Sequence, residues 1–208
     1  MGNYVVTIAR GYGSGGKEIG DYLGKMLGIP CYEGEILSMT AKKTGIDQSV
    51  FEKVDEKLQG KTLNKILYNW LTEAEDDKNG KKKISGWKVF QMQSEVIRNL
   101  AETQSCIIVG KCADYILEDF PNTVSVYVEA PRWACLKRLT DKYGWAADEA
   151  NSRLIKMDHQ RSEYYKCYTG GKKWDNPTNY DLVLNSAKLG VSGSAKMIEA
   201  CLLMKGLL

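Results

Sequence analysis

The sequence predicts a three-layer α/β domain of the P-loop type, built on a parallel sheet of five strands. Three observations predict it. β-Branched and apolar runs alternate with segments of helical periodicity over 208 residues, and a glycine cluster joins the first run to the first helix. The run Ser105-Cys106-Ile107-Ile108-Val109-Gly110 is apolar without alternation, as in a parallel strand covered on both faces.

Tyr4-Val5-Val6-Thr7-Ile8-Ala9 is the first strand, and the glycines from 11 to 16 stop it. Ile19, Tyr22, Leu23, Met26 and Leu27 then recur at helical spacing until Gly28-Ile29-Pro30 ends the helix. Cys31-Tyr32 leaves room only for a short second strand. Residues 35–104 read as a helical insertion with three apolar stripes: Val50, Phe51, Val54 and Leu58; Leu63, Ile66, Leu67, Trp70 and Leu71; Val89, Phe90, Val96, Ile97 and Leu100. The charged stretch at 76–83 between the last two reads as an exposed, solvated loop. Residues 105–110 and 124–128 are the third and fourth strands, 133–143 a helix, and 180–185 the last strand, before a helix carrying Ile198, Cys201 and Leu202. Strands alternating with helices imply right-handed crossovers. The expected organisation is one domain over 1–208, with a core of 1–34 and 105–208, the insertion at 35–104, and a lid at about 153–176.

Composition narrows the function. Hydrophobic residues make up 43% of the chain, so it can bury a core, and the net charge of +3 is too small for a general nucleic-acid coat or a polybasic membrane anchor. No apolar run reaches the roughly 18 residues of a membrane span, and no signal-peptide pattern opens the sequence, so the expected address is the cytoplasm. The six cysteines are scattered without a C-x-x-C pair and read as buried free thiols, while the single histidine, His159, reads as a surface residue.

Chemistry is concentrated in the glycine loop. Gly11-Tyr12-Gly13-Ser14-Gly15-Gly16-Lys17 satisfies G-x-x-x-x-G-K between a strand and a helix. Glycines let successive backbone N–H groups face a phosphate, the helix terminus adds positive potential, and the lysine reaches the β and γ oxygens. The serine or threonine that usually follows and ligates magnesium is Glu18, so metal ligands must come from Ser14, an acidic side chain elsewhere or water. Gly11, Gly13 and Gly16 also satisfy G-x-G-x-x-G, with Glu33 where a dinucleotide fold places its ribose acid. That second reading leaves Lys17 unexplained and needs a longer second strand. Towards the carboxyl terminus, Arg153, Lys156, Asp158, Arg161, Lys166, Lys172 and Lys173 lie in a polar, tyrosine-bearing stretch of the composition expected for a basic mobile lid. Asp158 and Arg161, at i and i+3, share a helix face, where an ordinary surface ion pair is the competing explanation.

The chain resembles the cytidylate kinase-like family of P-loop nucleoside monophosphate kinases over nearly its whole length. Four segments carry the resemblance: residues 7–20 around the glycine loop, 109–117 from Val109-Gly110-Lys111, 158–165 from Asp158-His159-Gln160-Arg161, and 180–186 from Tyr180-Asp181-Leu182. It implies a core domain, a nucleotide-monophosphate-binding insertion after the second strand, and an arginine-bearing lid. It also implies that Asp158 and Arg161 are the D-x-x-R pair holding the acceptor. The segment Tyr32-Glu33-Gly34-Glu35-Ile36-Leu37-Ser38 lacks the family's acceptor arginine, Gly110-Lys111-Cys112 stands in place of G-R-D, and the first lid arginine falls at Leu154 beside Arg153.

These observations point to an ATP-dependent phosphotransferase acting on a CMP-like nucleotide or another small acceptor, with magnesium chelated by the nucleotide. The donor set is Gly11, Gly13, Ser14, Gly15, Gly16, Lys17, Glu18 and Arg138, and the acceptor set is Glu33, Lys111, Asp114, Asp158 and Arg161. Lys17, Arg161 and Arg153 are the catalytic candidates. A nucleotide-binding regulatory protein that has lost transfer, and a nicotinamide enzyme, are the alternatives. No nucleic-acid or membrane partner is expected, and the sequence leaves the protein metal ligands and the oligomeric state open.

Overall fold

Five strands, β1 (Val5–Arg10), β2 (Cys31–Tyr32), β3 (Cys106–Val109), β4 (Thr123–Glu129) and β5 (Leu182–Asn185), form one parallel sheet in the computed structural model, which describes residues 2–45 and 86–208. Their order is β2-β3-β1-β4-β5, with Val5 opposite Cys106 on one side and Thr123 on the other. Among the described residues, the helices are α1 (Gly16–Leu27), α2 (Glu35–Thr44), α3 (Gly86–Thr103), α4 (Ala113–Ile116), α5 (Arg132–Tyr143), α6 (Ala147–Tyr168) and α7 (Ser186–Met204).

Alternation along β1 builds both halves of the core. Val6 and Ile8 face Ile19 and Leu23 of α1 and Ile198 and Leu202 of α7. Val5, with Cys106 and Ile108 of β3, faces Val96, Ile97 and Leu100 of α3, Ile116 of α4 and Tyr165 and Tyr168 of α6. Each fully buried isoleucine or leucine contributes roughly 1.5–3 kcal/mol relative to exposure. The third apolar stripe therefore lies directly on the sheet. The two earlier stripes, at 50–58 and 63–71, and the charged stretch at 76–83 lie outside the described residues.

Two elements differ from expectation for identifiable reasons. The last strand begins at Leu182, because Tyr180 and Asp181 serve neighbouring segments. Tyr180 donates its hydroxyl to the Trp174 carbonyl at 2.6 Å, while the Asp181 carboxylate accepts from the Ser125 amide at 2.8 Å and pairs with Lys205 at 3.1 Å. The stretch expected as a lid at about 153–176 is helical as far as Tyr168, leaving only 169–176 irregular before a 3-10 turn at Pro177–Asn179. Leu154, Asp158, Arg161, Tyr165 and Tyr168 fall at alternating spacings of four and three, one stripe of a helix, and its two ends are buried in different clusters. The charged pair occupies the middle of that stripe. All six cysteines are free, Cys31 and Cys167 only half-buried, and among the described residues no helix is long and apolar enough to cross a membrane.

Candidate active site

In a parallel α/β sheet the ligand crevice opens beyond the carboxyl ends of the strands, where crossovers depart to opposite sides. Here that point lies between β1 and β3, and the glycine loop leaves β1 there. The G-x-G-x-x-G reading places the second strand beside the first; in this sheet β3 separates β1 from β2.

The loop is held from both sides through its own backbone groups. Gly11 N–H donates to the Val128 carbonyl at 3.0 Å, and the Ser14 carbonyl accepts from the Ser186 hydroxyl at 2.5 Å. Gly13 has φ +78°, and a Cβ there would lie 3.0 Å from the Cys135 carbonyl oxygen of α5. At Gly16 a Cβ would lie 2.6 Å from Cβ of Arg10, so only glycine lets α1 start against the end of β1. Arg138 of α5 donates to the Gly13 carbonyl and lies against Gly15. The amides of Gly15, Gly16 and Lys17 at the loop exit take no carbonyl partner among the described residues, as the first turn of a helix requires. The Ser14 hydroxyl is buried without a hydrogen-bond partner among the described residues. That orphan oxygen, with the free amides, is a donor set that fits the oxygens of a phosphate, and its lone pairs suit a hard cation.

Lys17 pairs with Asp21 one turn along α1. Burial lowers its pKa, but the hydrogen bond to Asp21 together with the nearby Cys31, Asp21 and Glu33 outweighs this and the net shift is upward, which keeps the ammonium charged. Glu18 turns away from the loop to Lys142 at 2.8 Å; burial raises its pKa, and the Lys142 bond, a hydrogen bond from its own amide and the charges of Lys142 and Arg138 together reverse the sign to a net lowering. Beyond Arg138 a groove of about 430 Å³ runs between α5 and the start of α7, lined by Trp133, Lys137, Asp141, Lys142 and Ala187.

Asp158 and Arg161 do not pair with each other. Asp158 accepts from the Tyr12 amide at 2.7 Å, and Arg161 donates to the Arg10 carbonyl at 3.0 Å with its guanidinium 5.4 Å from the Tyr12 ring centroid. Helix α6 thus clamps the entry limb of the glycine loop. Desolvation raises the Asp158 pKa, with the Tyr12 amide and Arg161 pulling the other way. Arg161 makes no ion pair among the described residues. Burial, and then the nearby Arg10 cation, bring its pKa down to about 10.

The remaining candidates separate. Lys111 and Cys112 are the central residues of a turn closed by the Ala113 amide on the Gly110 carbonyl at 3.1 Å, with φ of +58° and +53°. Such turns normally take Asn or Gly, and each L residue there costs roughly 1–2 kcal/mol. This strained turn points the chain out of β3 beside the glycine loop. Asp114 is buried beneath it, 2.7 Å from the Tyr165 hydroxyl; burial raises its pKa, partly offset by that bond. It therefore faces the core behind the turn. Glu33 is at the rim, 2.7 Å from Arg10. Arg153 is exposed, paired with Glu149 at 2.8 Å and 4.2 Å over the Trp145 ring.

Sequence reasoning missed Arg10 and Trp133. Arg10 had a signal, a lone cation ending an apolar strand; Trp133, 67% exposed in the groove beyond Arg138, had none beyond its aromatic ring.

The sequence profile of the cytidylate kinase-like family matches residues 5–188. The chain belongs to that family. Its fold is that of the P-loop kinases. A crystal structure of an uncharacterized protein from Eubacterium ventriosum is 25% identical, with a TM-score of 0.69 over 95% of this chain and 97% of that one. The shikimate kinase of Bacteroides thetaiotaomicron has a TM-score of 0.51 at 12% identity over 96% of this chain and 98% of its own. The APS kinase of Mycobacterium tuberculosis, in complex with AMPPNP and APS, has 0.52 at 16% identity over 96% and 97%. No curated protein matches the sequence significantly.

Proposed function

We propose that this chain is an ATP-dependent phosphotransferase of the nucleoside monophosphate kinase type, moving the γ-phosphoryl group of ATP to a CMP-like nucleotide or another small acceptor. The observation that carries this reading is Arg161, a part-buried guanidinium with no carboxylate partner among the described residues, fixed by a backbone carbonyl beside the glycine loop. An unpaired charge held away from water is costly, and an anionic ligand removes that cost.

The donor phosphates sit on the amides of residues 13–17, and Lys17 exchanges Asp21 for the β and γ oxygens. The groove beside Trp133 and Arg138 takes the base and ribose. Ser14 is the loop oxygen that would hold a magnesium ion chelated by the nucleotide, and such an ion would supply charge neutralisation at the β and γ oxygens. Arg161 faces the charge that spreads over the transferring group, and its planar fork matches two phosphate oxygens. Asp158 holds the Tyr12 amide, which keeps the entry limb of the loop and the arginine in one register. In support, an APS kinase of the same fold is a complex with the ATP analogue AMPPNP.

A nucleotide-binding protein without transfer is the second reading, favoured by Glu18 at the usual magnesium-ligand position and by its pairing with Lys142. A coupled ADP-release screen over nucleoside monophosphates and small hydroxylated metabolites separates the two. Acceptor-dependent ADP release supports the transferase; ATP binding without acceptor-dependent release supports the second reading and overturns the first.

A further inference from the structure

Arg10 ends β1, and its side chain is only 17% exposed. Its guanidinium crosses Gly110, where a Cβ would collide with it, and reaches Glu33 at 2.7 Å. Its own backbone carbonyl holds Arg161 at 3.0 Å. After burial, the nearby Arg10 cation is what lowers the Arg161 pKa, so two guanidinium groups share one rim of the crevice, and among the described residues Glu33 is the one carboxylate within ion-pair distance of either. Asp158, the other acid facing them from α6, is committed to the Tyr12 amide at 2.7 Å, and the other cation nearby, Lys17, to Asp21. Like charges held this close in a part-buried site are unfavourable until an anion lies between them.

The sheet order fixes which ligand this rim faces. Gly110 and Glu33 follow β3 and β2, on one side of β1, whereas the groove at Trp133, Arg138 and Ala187 lies on the β4 and β5 side. The rim is therefore on the acceptor side. Glu33 sits in the two-residue link between β2 and α2, so its carboxylate can leave Arg10 without breaking either element.

We infer that Arg10 and Arg161 form an anion clamp for an acceptor carrying a tetrahedral oxyanion, phosphate or sulfate, and that Glu33 is the placeholder counter-ion this group displaces. That the ligand is the acceptor rests on the phosphotransferase reading; the clamp itself rests on the side-chain geometry. Two guanidinium forks match a tetrahedral oxyanion better than a carboxylate bound by one of them.

Calorimetric titration of inorganic phosphate and inorganic sulfate into the full-length chain saturated with AMPPNP tests the clamp, since the nucleotide fills the glycine loop. Arg10→Ala should weaken anion binding about tenfold or more, with AMPPNP affinity within about twofold of the parent. Glu33→Gln should tighten anion binding by about three- to tenfold, because the competing carboxylate is gone. The phosphate and sulfate arms rank the two anion sources. Equal anion affinity in the parent and Glu33→Gln, or no anion binding to the nucleotide-loaded chain, overturns the clamp while leaving the donor reading intact. Glu33→Gln keeps both arginines, so it decides the matter even if Arg10→Ala does not fold. Failure of AMPPNP to bind overturns the donor reading instead; the same comparison on the nucleotide-free chain still judges the clamp.

Discussion

The proposed donor side and the proposed acceptor side of the crevice are built from different materials. On the donor side, the contacts are made on the loop's own backbone: its Gly11 amide on the Val128 carbonyl, its Ser14 and Gly13 carbonyls under Ser186 and Arg138, close approach of Cys135, and glycines where a Cβ would clash. On the acceptor side, Arg10, Glu33 and Arg161 are long side chains from β1, the β2–α2 link and α6, which meet only because the chain folds. Backbone cradles accept any phosphate and tolerate little change. Side-chain rims set what else can enter, and their residues can be exchanged without moving the backbone frame. The donor function should therefore be brittle and the acceptor function tunable.

The largest expected effect is on the donor side. Lys17→Ala should lower turnover by about a hundredfold or more and weaken ATP binding. Lys17 is partly exposed, so the melting temperature should stay within about 2 °C of the parent. Steady-state kinetics and thermal unfolding check the two halves. Retained turnover would break the distinction between the sides.

On the shared wall between them, Arg161→Lys should lower kcat by about ten- to a hundredfold while raising the KM for ATP much less, because charge survives and the planar fork does not. A KM effect equal to the kcat effect would assign Arg161 to ground-state binding.

Further out along the donor groove, Trp133→Ala should weaken ATP binding about five- to tenfold, the loss expected for one base–aromatic stack of roughly 1 kcal/mol. The side chain is 67% exposed, so stability should be unaffected. Unchanged affinity would move the base away from this groove.

The smallest effect sharpens what lies behind the acceptor rim. The Asp114 carboxyl has its pKa raised above its usual 3.8 by burial, so the native state binds its proton more tightly than the unfolded chain does. Its contribution is fully present at low pH and is lost as pH rises through the folded value. Asp114→Asn should therefore melt higher than the parent at pH 7, with the difference shrinking towards pH 4. Its Tyr165 hydrogen bond can survive in the amide. A variant that melts lower at pH 7 would show that the carboxylate itself holds the turn at Lys111.

The two sides also differed in how far they could be read from the sequence. The glycine loop was legible because its chemistry is local: spacing, a preceding β-branched strand and a following helix suffice. The central strands were legible because burial on both faces leaves continuous apolar runs, as in Cys106-Ile107-Ile108-Val109. Helix α6 was harder, since its buried stripe is interrupted by Asp158 and Arg161, and a charged pair in an apolar stripe imitates a solvent-facing segment. Reading Leu154, Tyr165 and Tyr168 in phase with that pair recovers the helix. Arg10 and Glu33 were beyond reach as partners, because their meeting depends on β3 inserting between β1 and β2. The left-handed turn at Lys111-Cys112 leaves no trace in composition, since neither residue type favours it.

Phosphoryl transfer itself is the central claim, and following label from ATP carrying ³²P in its γ position tests it most directly, with products separated by thin-layer chromatography. The account predicts that label moves to a small acceptor in the parent and does so at least about a hundredfold more slowly in Lys17→Ala. Label that remains on ATP across nucleoside monophosphates and hydroxylated metabolites, or that appears only as inorganic phosphate, would contradict it.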